Sequence, residues 1–147
     1  MSQADTSPQQ IAARVGGQML ANDRASRGLG MSLVAIAPGS ATLTMTVRDD
    51  MLNGLDICHG GLITTLADSA FAFACNSHGE VTVAAGLTVD FIAPARRGDV
   101  LTAHAVEVAR AGRGGLYDVA VSNQRGEPIA MLRGRSHRSR TPAGGSR

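Results

Sequence analysis

The chain contains 147 residues, of which 44% are hydrophobic and 18% are charged. This length and composition are typical of a single globular domain with its own core, and they exclude an intrinsically disordered chain. The formal net charge of +2 is too small to indicate nucleic-acid binding. All 14 basic residues are arginine, which excludes mechanisms that need a lysine.

The cysteines and the beginning of the chain indicate the cellular context. Cys58 and Cys75 are too few for a disulfide framework. No apolar run reaches the roughly 18 residues of a membrane-spanning helix. The polar start MSQADTSPQQ lacks the basic-then-apolar pattern of a signal peptide. We therefore expect a cytoplasmic protein that does not associate with membranes.

The first third of the chain predicts one short helix and two strands. Ile11, Val15 and Met19 recur at every fourth position, which predicts an amphipathic helix over residues 8–23. Two strands are then predicted on either side of a turn at residues 38–40. In the second of these strands apolar residues alternate with polar ones, as expected for a strand with one buried face.

Residues 60–76 predict a long central helix. They are apolar almost all round, so we expect this helix to be buried within the fold. Four strands are predicted after it, at residues 81–93, 100–110, 116–123 and 128–137. Strands segregated around one helix indicate an α+β domain, in which a curved antiparallel sheet wraps around the helix.

This single domain is expected to cover residues 9–140. Residues 1–8 and 141–147 are polar or rich in small residues, and we expect them to form disordered tails. No internal repeat or linker indicates a second domain.

The start of the central helix is a candidate catalytic element. His59, Gly60 and Gly61 stand where the first backbone N–H groups of a helix have no internal acceptor and where the helix dipole is positive. Two glycines permit another group to approach the backbone closely. An oxyanion hole needs these features. The alternative interpretation is a glycine pair that only permits a tight turn from strand to helix.

Asp68 is the acidic residue within the central helix. A buried carboxylate needs a partner, and the hydroxyls of Thr64 and Thr65, one turn earlier, are candidate donors. The helix contains no cationic side chain, so burial would raise the Asp68 pKa, as it does for general bases and nucleophiles. The alternative is a solvated aspartate where the helix reaches the surface.

Gly61 and Asp68 lie about 10.5 Å apart along a helix axis that rises 1.5 Å per residue. One substrate carbonyl cannot contact both within a chain, because each contact requires about 3 Å. We therefore predict a site shared across a two-fold dimer, in which the helix start of one subunit faces Asp68 of the other.

Four segments occur in order along most of the chain: NGLDICHGGLITTLADSAFAFACNS, TVDFIAPARRGD, GLYDV and RGRSHR. Together they resemble the hotdog-fold acyl-CoA thioesterases of the phenylacetate-degradation type, and the similarity extends from about residue 15 to residue 140. The resemblance implies a hotdog fold, an acyl-CoA substrate, no cofactor, and dimers that usually pair into tetramers. The four histidines show no spacing for a metal site, so no metal is expected.

The resemblance also implies roles for individual residues. Asp68 corresponds to the catalytic carboxylate. Gly60 corresponds to the residue whose backbone N–H polarises the thioester carbonyl, with His59 supporting that loop. Asn53 corresponds to a polar residue near the attacking water or the carbonyl.

One related branch of the family places a threonine one turn after its carboxylate, to hold the nucleophilic water. The corresponding residue here is Ala72, so Thr64 or Thr65 would have to replace that threonine. The phosphates of CoA require cations, and several arginines near the last strands are candidates, although solvated surface charge is the alternative for each. The candidate substrate-binding residues are Gly61, Thr64, Thr65, Arg110, Arg113 and Arg135, with Arg133 and Arg138 nearby.

The predicted reaction is hydrolysis of an acyl-CoA thioester, with phenylacetyl-CoA or a ring-hydroxylated phenylacetyl-CoA as the expected substrate. Asp68 would act either as a general base or as a nucleophile, and the sequence does not choose between them. Two alternatives remain at this point. One is a non-catalytic acyl-CoA-binding module, and the other is a thioesterase for medium-chain or benzoyl-type CoA esters.

Overall fold

The computed structural model of the protein describes residues 6–142. The helices are α1 (Pro8–Asn22), α2 (Arg24–Gly28) and α3 (Gly60–Asn76). The strands are β1 (Ser32–Ala37), β2 (Ser40–Thr46), β3 (Glu80–Phe91), β4 (Val100–Ala111), β5 (Gly114–Ser122) and β6 (Pro128–Pro142). No helix within residues 6–142 is long and apolar enough to span a membrane.

The six strands form one antiparallel sheet in the order β1-β2-β4-β5-β6-β3. Helix α3 contacts every strand of this sheet, so it is the central helix around which the sheet curves. The predicted α+β architecture is therefore confirmed. The strand order also brings β3 beside β6, which is remote in sequence, and leaves β3 at one edge.

Strand β2 shows how the sequence pattern builds the core. Leu43, Met45 and the following Val47 are at most 1% exposed, while the threonines between them are more accessible. The predicted alternation is confirmed, because successive side chains of a strand point to opposite faces of the sheet.

Phe71 fixes α3 against the sheet. Its ring is fully buried, and its centroid lies 5.5 Å from that of Tyr117 on β5. On β6 the ring faces Gly134, where a Cβ would lie 2.8 Å from a ring carbon. A glycine in the middle of this strand therefore provides the room that the ring occupies.

The prediction that α3 is buried all round was only partly right. The face that carries Ile63, Leu66, Ala70 and Phe71 is buried. On the opposite side of the helix, Gly61 is exposed, and Thr65, Asp68 and Ala72 are only partly buried. The curved sheet covers one side of the helix, so a single chain leaves a stripe uncovered. The stripe consists of Gly61, Thr65, Asp68 and Ala72.

The predicted tails lie largely outside the described residues, but both boundaries need correction. Helix α1 begins at Pro8, and Ser7 accepts a hydrogen bond from the Gln10 N–H in a capping box. Strand β6 continues to Pro142 because it pairs with Glu80 at the start of β3. Helix α2 was not predicted, since five residues are too few to show a helical period.

Strand β3 is a long edge strand. It contains 12 residues and pairs only with β6 within the described part of the chain. Several of its apolar side chains are exposed, including Val83 at 55% and Phe91 at 53%. Long apolar edge strands present unpaired backbone groups to other chains, so this edge is suited to pairing.

Candidate active site

The loop before α3 is closed by Asn53. Its side-chain oxygen accepts hydrogen bonds from the backbone N–H of Leu55, at 2.9 Å, and of Ile57, at 3.4 Å. The backbone N–H of Asn53 also donates to the Ile57 carbonyl at 2.9 Å. Within residues 6–142 the side-chain amide of Asn53 donates no hydrogen bond, so an amide N–H group remains free for a ligand.

His59 caps the N-terminus of α3. Its Nδ1 accepts the backbone N–H of Gly61 at 3.1 Å, and its own backbone N–H donates to the Met51 carbonyl at 2.8 Å. Nδ1 must therefore be unprotonated, which places the proton of the neutral ring on Nε2. His59 thus holds the helix start to the preceding loop. The same contact occupies the Gly61 N–H, so Gly61 is not a free donor.

Gly60 provides the donor that Gly61 does not. No residue between 6 and 142 accepts a hydrogen bond from the Gly60 N–H, which lies in the first turn of α3. A Cβ at residue 60 would lie 2.9 Å from the ring Cζ of Phe91. The absence of a side chain therefore lets an aromatic ring pack against this donor.

A cleft of about 440 Å³ opens beside this helix start. Asn53 and Gly60 contribute its polar groups, and the remaining walls are apolar. The apolar lining is Ile57, Cys58, Ile63, Phe91, Ile92, Ala93 and Pro94. Burial raises the pKa of the Cys58 thiol, so this residue contributes an un-ionised apolar surface. Such a cleft fits an apolar acyl group with a carbonyl at the Gly60 end.

Asp68 does not line this cleft. It is half-buried, and burial raises the pKa of its carboxyl above the ordinary value of 3.8. No hydrogen bond or ion pair reaches this carboxylate from residues 6–142. A half-buried carboxylate without a partner is unfavourable unless another group completes its surroundings.

Thr64 and Thr65 do not satisfy Asp68, contrary to the prediction. The Thr64 hydroxyl donates to the Gly60 carbonyl and the Thr65 hydroxyl donates to the Gly61 carbonyl, each at 2.8 Å. A hydroxyl has one proton to donate, and a threonine within a helix readily gives it to the carbonyl four residues earlier. Both side chains therefore stabilise the first turn of α3.

The arginines predicted to bind CoA phosphates fall into two places. Arg110 and Arg113 surround a small pocket at the C-terminal end of α3, together with Arg138. Arg135 is exposed between the inward-facing Gly134 and Ser136, so it points to the outer face of the sheet. Neither place adjoins the Gly60 cleft within one chain.

Sequence reasoning missed a polar cluster at the same end of α3. Glu107 accepts hydrogen bonds from Tyr117 OH and lies 2.8 Å from His78 Nε2, while Arg110 Nε is 3.2 Å away. Burial opposes ionisation of Glu107, but these hydrogen bonds and the arginine charge lower its pKa overall. The His78 and Tyr117 contacts join the turn after α3, β4 and β5 across 10 to 29 residues of sequence, so no local signal could have revealed them.

Comparison with known proteins identifies the class of protein. Residues 55–130 match the Thioesterase superfamily, which is more than half of the chain. The chain therefore belongs to this superfamily and is a thioester hydrolase, and the hotdog fold is confirmed.

One relative is an acyl-CoA thioesterase by name. The chain is 44% identical over 120 residues to the acyl-coenzyme A thioesterase PaaI of Escherichia coli K12, covering 82% of this chain and 86% of that protein. The structure of E. coli PaaI, from the phenylacetic acid degradation operon, superposes with a TM-score of 0.91 at 40% identity, covering 92% of this chain and 99% of that one.

Two further solved structures are similar. A mutant of the phenylacetic acid degradation protein PaaI from Thermus thermophilus has a TM-score of 0.77 at 36% identity, covering 80% of this chain and 100% of that one. The protein smu.793 from Streptococcus mutans UA159, bound to acetyl-CoA, has a TM-score of 0.72 at 25% identity, covering 74% of this chain and 88% of that one.

Proposed function

We propose that the protein hydrolyses acyl-CoA thioesters to the free acid and CoA, with phenylacetyl-CoA or a ring-hydroxylated phenylacetyl-CoA as substrate. The observation that carries the proposal is the Gly60 N–H, which has no acceptor within residues 6–142 and belongs to the lining of an apolar cleft of about 440 Å³. The ring of Phe91 beside Gly60 suits an aromatic acyl group. The names of the E. coli and T. thermophilus relatives support the substrate class.

The catalytic carboxylate in this proposal comes from a second copy of the chain. Gly60 and Asp68 are eight residues apart on one helix, a rise of about 12 Å. Asp68 lies on the stripe of α3 that its own sheet leaves uncovered, and it has no partner within residues 6–142. A two-fold dimer brings the helix start of each protomer to the uncovered stripe of its partner.

The free edge of β3 is the surface through which this dimer forms. Antiparallel pairing of β3 with its own copy extends the sheet and satisfies backbone groups on both strands. The two-fold axis is then perpendicular to the sheet, so both α3 helices remain on the same face. The exposed apolar side chains of β3, which include Val83, Leu87 and Phe91, are covered in this arrangement.

We further propose that two dimers associate into a tetramer through the outer faces of their sheets. Exposed apolar side chains on that face support this arrangement. They are Val100, Val106, Val108 and Met131.

The reaction follows from the positions of these groups. The thioester carbonyl oxygen accepts the Gly60 N–H, which stabilises the negative charge that develops when the carbonyl carbon is attacked. Asn53 contributes its free amide N–H beside the same cleft. The tetrahedral intermediate collapses by breaking the carbon–sulfur bond, and CoA leaves as a thiolate that takes up a proton.

Two routes for Asp68 fit this geometry. As a general base it removes a proton from water, which then attacks the carbonyl carbon. As a nucleophile it forms a mixed anhydride that water subsequently hydrolyses. Single-turnover hydrolysis in ¹⁸O-labelled water distinguishes them by mass analysis of the peptide that contains Asp68. Label in the carboxylate rules out the general-base route.

The proposed function is tested by measuring thiol release from phenylacetyl-CoA, hydroxyphenylacetyl-CoA, benzoyl-CoA and straight-chain acyl-CoA esters. We expect the arylacetyl esters to have the highest kcat/KM and Asp68→Asn to reduce kcat by about 10²–10⁴-fold. A wild-type protein that binds these esters without releasing thiol would instead be an acyl-CoA-binding module. Equal turnover by wild type and Asp68→Asn would contradict the assigned role of Asp68.

A further inference from the structure

Ser69 joins the central helix to a second helix. It follows Asp68 in α3, and its hydroxyl oxygen lies 2.8 Å from that of Ser26 on α2. Helix α3 has three hydroxyl side chains. Those of Thr64 and Thr65 donate to carbonyls of their own helix, whereas the Ser69 hydroxyl reaches another element. This contact joins residues 43 positions apart in the sequence, so it fixes α3 against the N-terminal part of the fold.

Asp23 determines the direction of these hydrogen bonds. Its Oδ1 accepts the backbone N–H of Ser26 at 2.9 Å, and its Oδ2 accepts the Ser26 hydroxyl at 2.6 Å. A hydroxyl has one proton to donate, so the Ser26 oxygen accepts the proton of Ser69. Ser69 therefore donates to Ser26, and Ser26 donates to Asp23. We refer to these three side chains as the α2 tether.

The α2 tether is attached to a well-packed part of the fold. Ser26 is only 2% exposed, and its carbonyl accepts the backbone N–H of Met31, just before β1, at 3.0 Å. Asp23 ends α1 and caps the start of α2. Helix α1 in turn packs on β1, where a Cβ at Gly16 would lie 3.0 Å from the side chain of Ile36. Helix α2 is therefore held in place relative to the sheet.

Ser69 and Phe71 hold two different flanks of α3. Successive residues of an α-helix are about 100° apart around the axis. Ser69 therefore lies about 100° to one side of Asp68, and Phe71 lies about 60° to the other side. The Phe71 ring packs against Tyr117 and Gly134 of the sheet, whereas Ser69 is bonded to α2. The Asp68 carboxylate thus stands between an apolar anchor and a directional one.

A directional anchor limits the rotation of α3 about its own axis. Outer side-chain atoms lie about 5–6 Å from a helix axis, while Cα atoms lie about 2.3 Å from it. A rotation of about 10° therefore moves a carboxylate by about 1 Å and a backbone N–H by no more than about 0.4 Å. A misplacement of about 1 Å can cost about 10²-fold in rate. Rotation of α3 therefore affects Asp68 much more than the Gly60 donor.

We infer that Ser69 is a positioning residue for the Asp68 carboxylate, because its hydrogen bond to Ser26 sets the rotation of α3. This inference rests on the proposed function, in which Asp68 is the catalytic carboxylate. The α2 tether acts through the helix and does not itself contact the substrate. Its loss should slow the chemical step and leave binding of the thioester unchanged.

Ser69→Ala tests the inference, because it removes one oxygen atom from a partly buried position. With phenylacetyl-CoA we expect kcat and the single-turnover rate to fall about tenfold or more, with KM within about twofold of wild type. Ser26→Ala removes the acceptor of the same hydrogen bond and should act in the same way. The double variant should be no slower than Ser26→Ala alone, because the same interaction is already lost. Additive losses would overturn the inference.

Two further variants separate positioning from a general loosening of the fold. Asp23→Asn keeps an oxygen for the Ser26 N–H, and its amide can donate to the Ser26 hydroxyl, which then donates to Ser69. This variant should keep kcat within about twofold of wild type. Ser7→Ala is the matched control, because it removes a serine that caps α1 and leaves the α2 tether intact. It should lower stability in urea without lowering kcat.

The outcomes distinguish the inference from the proposed function. An unchanged kcat in Ser69→Ala and Ser26→Ala overturns the inference alone, and so does an equal fall of kcat in Ser7→Ala or Asp23→Asn. A loss of kcat/KM that lies entirely in KM overturns it as well. A wild type that releases no thiol from phenylacetyl-CoA overturns the proposed function, and the inference with it.

Mixed dimers test whether Ser69 acts on the carboxylate of its own chain. Two affinity tags isolate dimers in which one chain carries Asp68→Asn, so that only the other chain supplies a carboxylate. Ser69→Ala is placed either on the chain with the intact Asp68 or on the chain with Asp68→Asn. We expect the first arrangement to be slower by about tenfold or more. Equal rates, or the reverse order, would overturn the inference.

Discussion

The ring of Phe91 lies directly against Gly60, so that a Cβ on residue 60 would be 2.9 Å from the ring Cζ and 3.3 Å from both Cε atoms. These distances are shorter than side chains tolerate without movement. The contact places an aromatic wall of the acyl cleft beside the backbone donor that we assign to the oxyanion.

Gly60→Ala should therefore impair catalysis more than stability. The added methyl group must displace the end of the Phe91 ring, which is 53% exposed and can move, so we expect the free energy of unfolding to change by less than about 1 kcal/mol. Movement of this ring within the cleft beside the Gly60 N–H should lower kcat/KM by about tenfold or more. Urea unfolding and steady-state kinetics measure the two effects. Adding Phe91→Leu should recover most of the activity, and a Gly60→Ala enzyme with wild-type kinetics would contradict the contact.

His59 offers a test of the cap on α3. Because Nδ1 accepts the Gly61 N–H at 3.1 Å, His59→Ala should lower the free energy of unfolding by about 1 kcal/mol and reduce kcat by loosening the Gly60 donor. His59→Asn should preserve both, since an asparagine oxygen can accept the same N–H. Thermal unfolding and kcat measurements compare the two variants. If Asn is as damaging as Ala, the imidazole has a role beyond the cap.

Asp68 should make catalysis and stability respond to pH in opposite directions. Burial raises its pKa, so folding favours the protonated form. Its stability contribution is complete below the ordinary pKa of 3.8 and is lost as the pH rises through the raised value. The proposed mechanism needs the ionised form, so kcat/KM should fall as the pH decreases through the same raised pKa.

Asp68→Asn should consequently be more stable than wild type at neutral pH, and the difference should disappear in acid. Asp118→Asn is a control with the opposite expected effect. Hydrogen bonds from Arg133 lower the pKa of Asp118, so loss of the Asp118 carboxylate should destabilise the protein at neutral pH. Urea unfolding at equal protein concentrations measures these changes. A neutral-pH loss of stability in Asp68→Asn would show that its carboxylate has a native partner.

The edge of β3 can be tested with a matched pair of substitutions. Val83 lies on β3 and is 55% exposed, while Val34 lies on β1 at the other edge of the sheet and is 61% exposed. Val83→Glu should weaken the proposed dimer and abolish activity in proportion to dissociation, because each site in that proposal requires two chains. Val34→Glu should change neither. Analytical ultracentrifugation and kinetics at the same concentrations check this, and a fully active Val83→Glu monomer would exclude the shared site.

The features that the sequence predicted correctly depend on local patterns. The apolar run of residues 60–76 predicted both ends of α3, at Gly60 and Asn76. The alternation of apolar and polar residues predicted the buried face of β2. The Gly60 N–H, which has no acceptor in the described part of the chain, likewise follows from its position in the first turn of a helix.

The features that were missed depend on contacts between distant parts of the chain. The hydroxyls of Thr64 and Thr65 bond within their own helix, and sequence spacing alone did not distinguish this choice from a bond to Asp68. The positions of Arg135 and Arg138 on opposite faces of β6 depend on the register with β3 and β5. A one-residue shift of register reverses the direction of every side chain, so neighbouring arginines cannot be assigned from sequence.

The contact between Phe71 and Gly134 has a consequence for the accuracy of catalysis. Gly60 and Asp68 belong to one rigid helix, and this ring sets the position of that helix along the sheet. In a two-fold assembly the paired helices run in opposite directions, so any sliding of α3 moves the donor and the carboxylate of each site by equal amounts in opposite senses. A slip of about 0.5 Å would alter their separation by about 1 Å, an error large enough to cost about 10²-fold in rate. In the proposed dimer, tight core packing far from the substrate therefore aligns both sites at once.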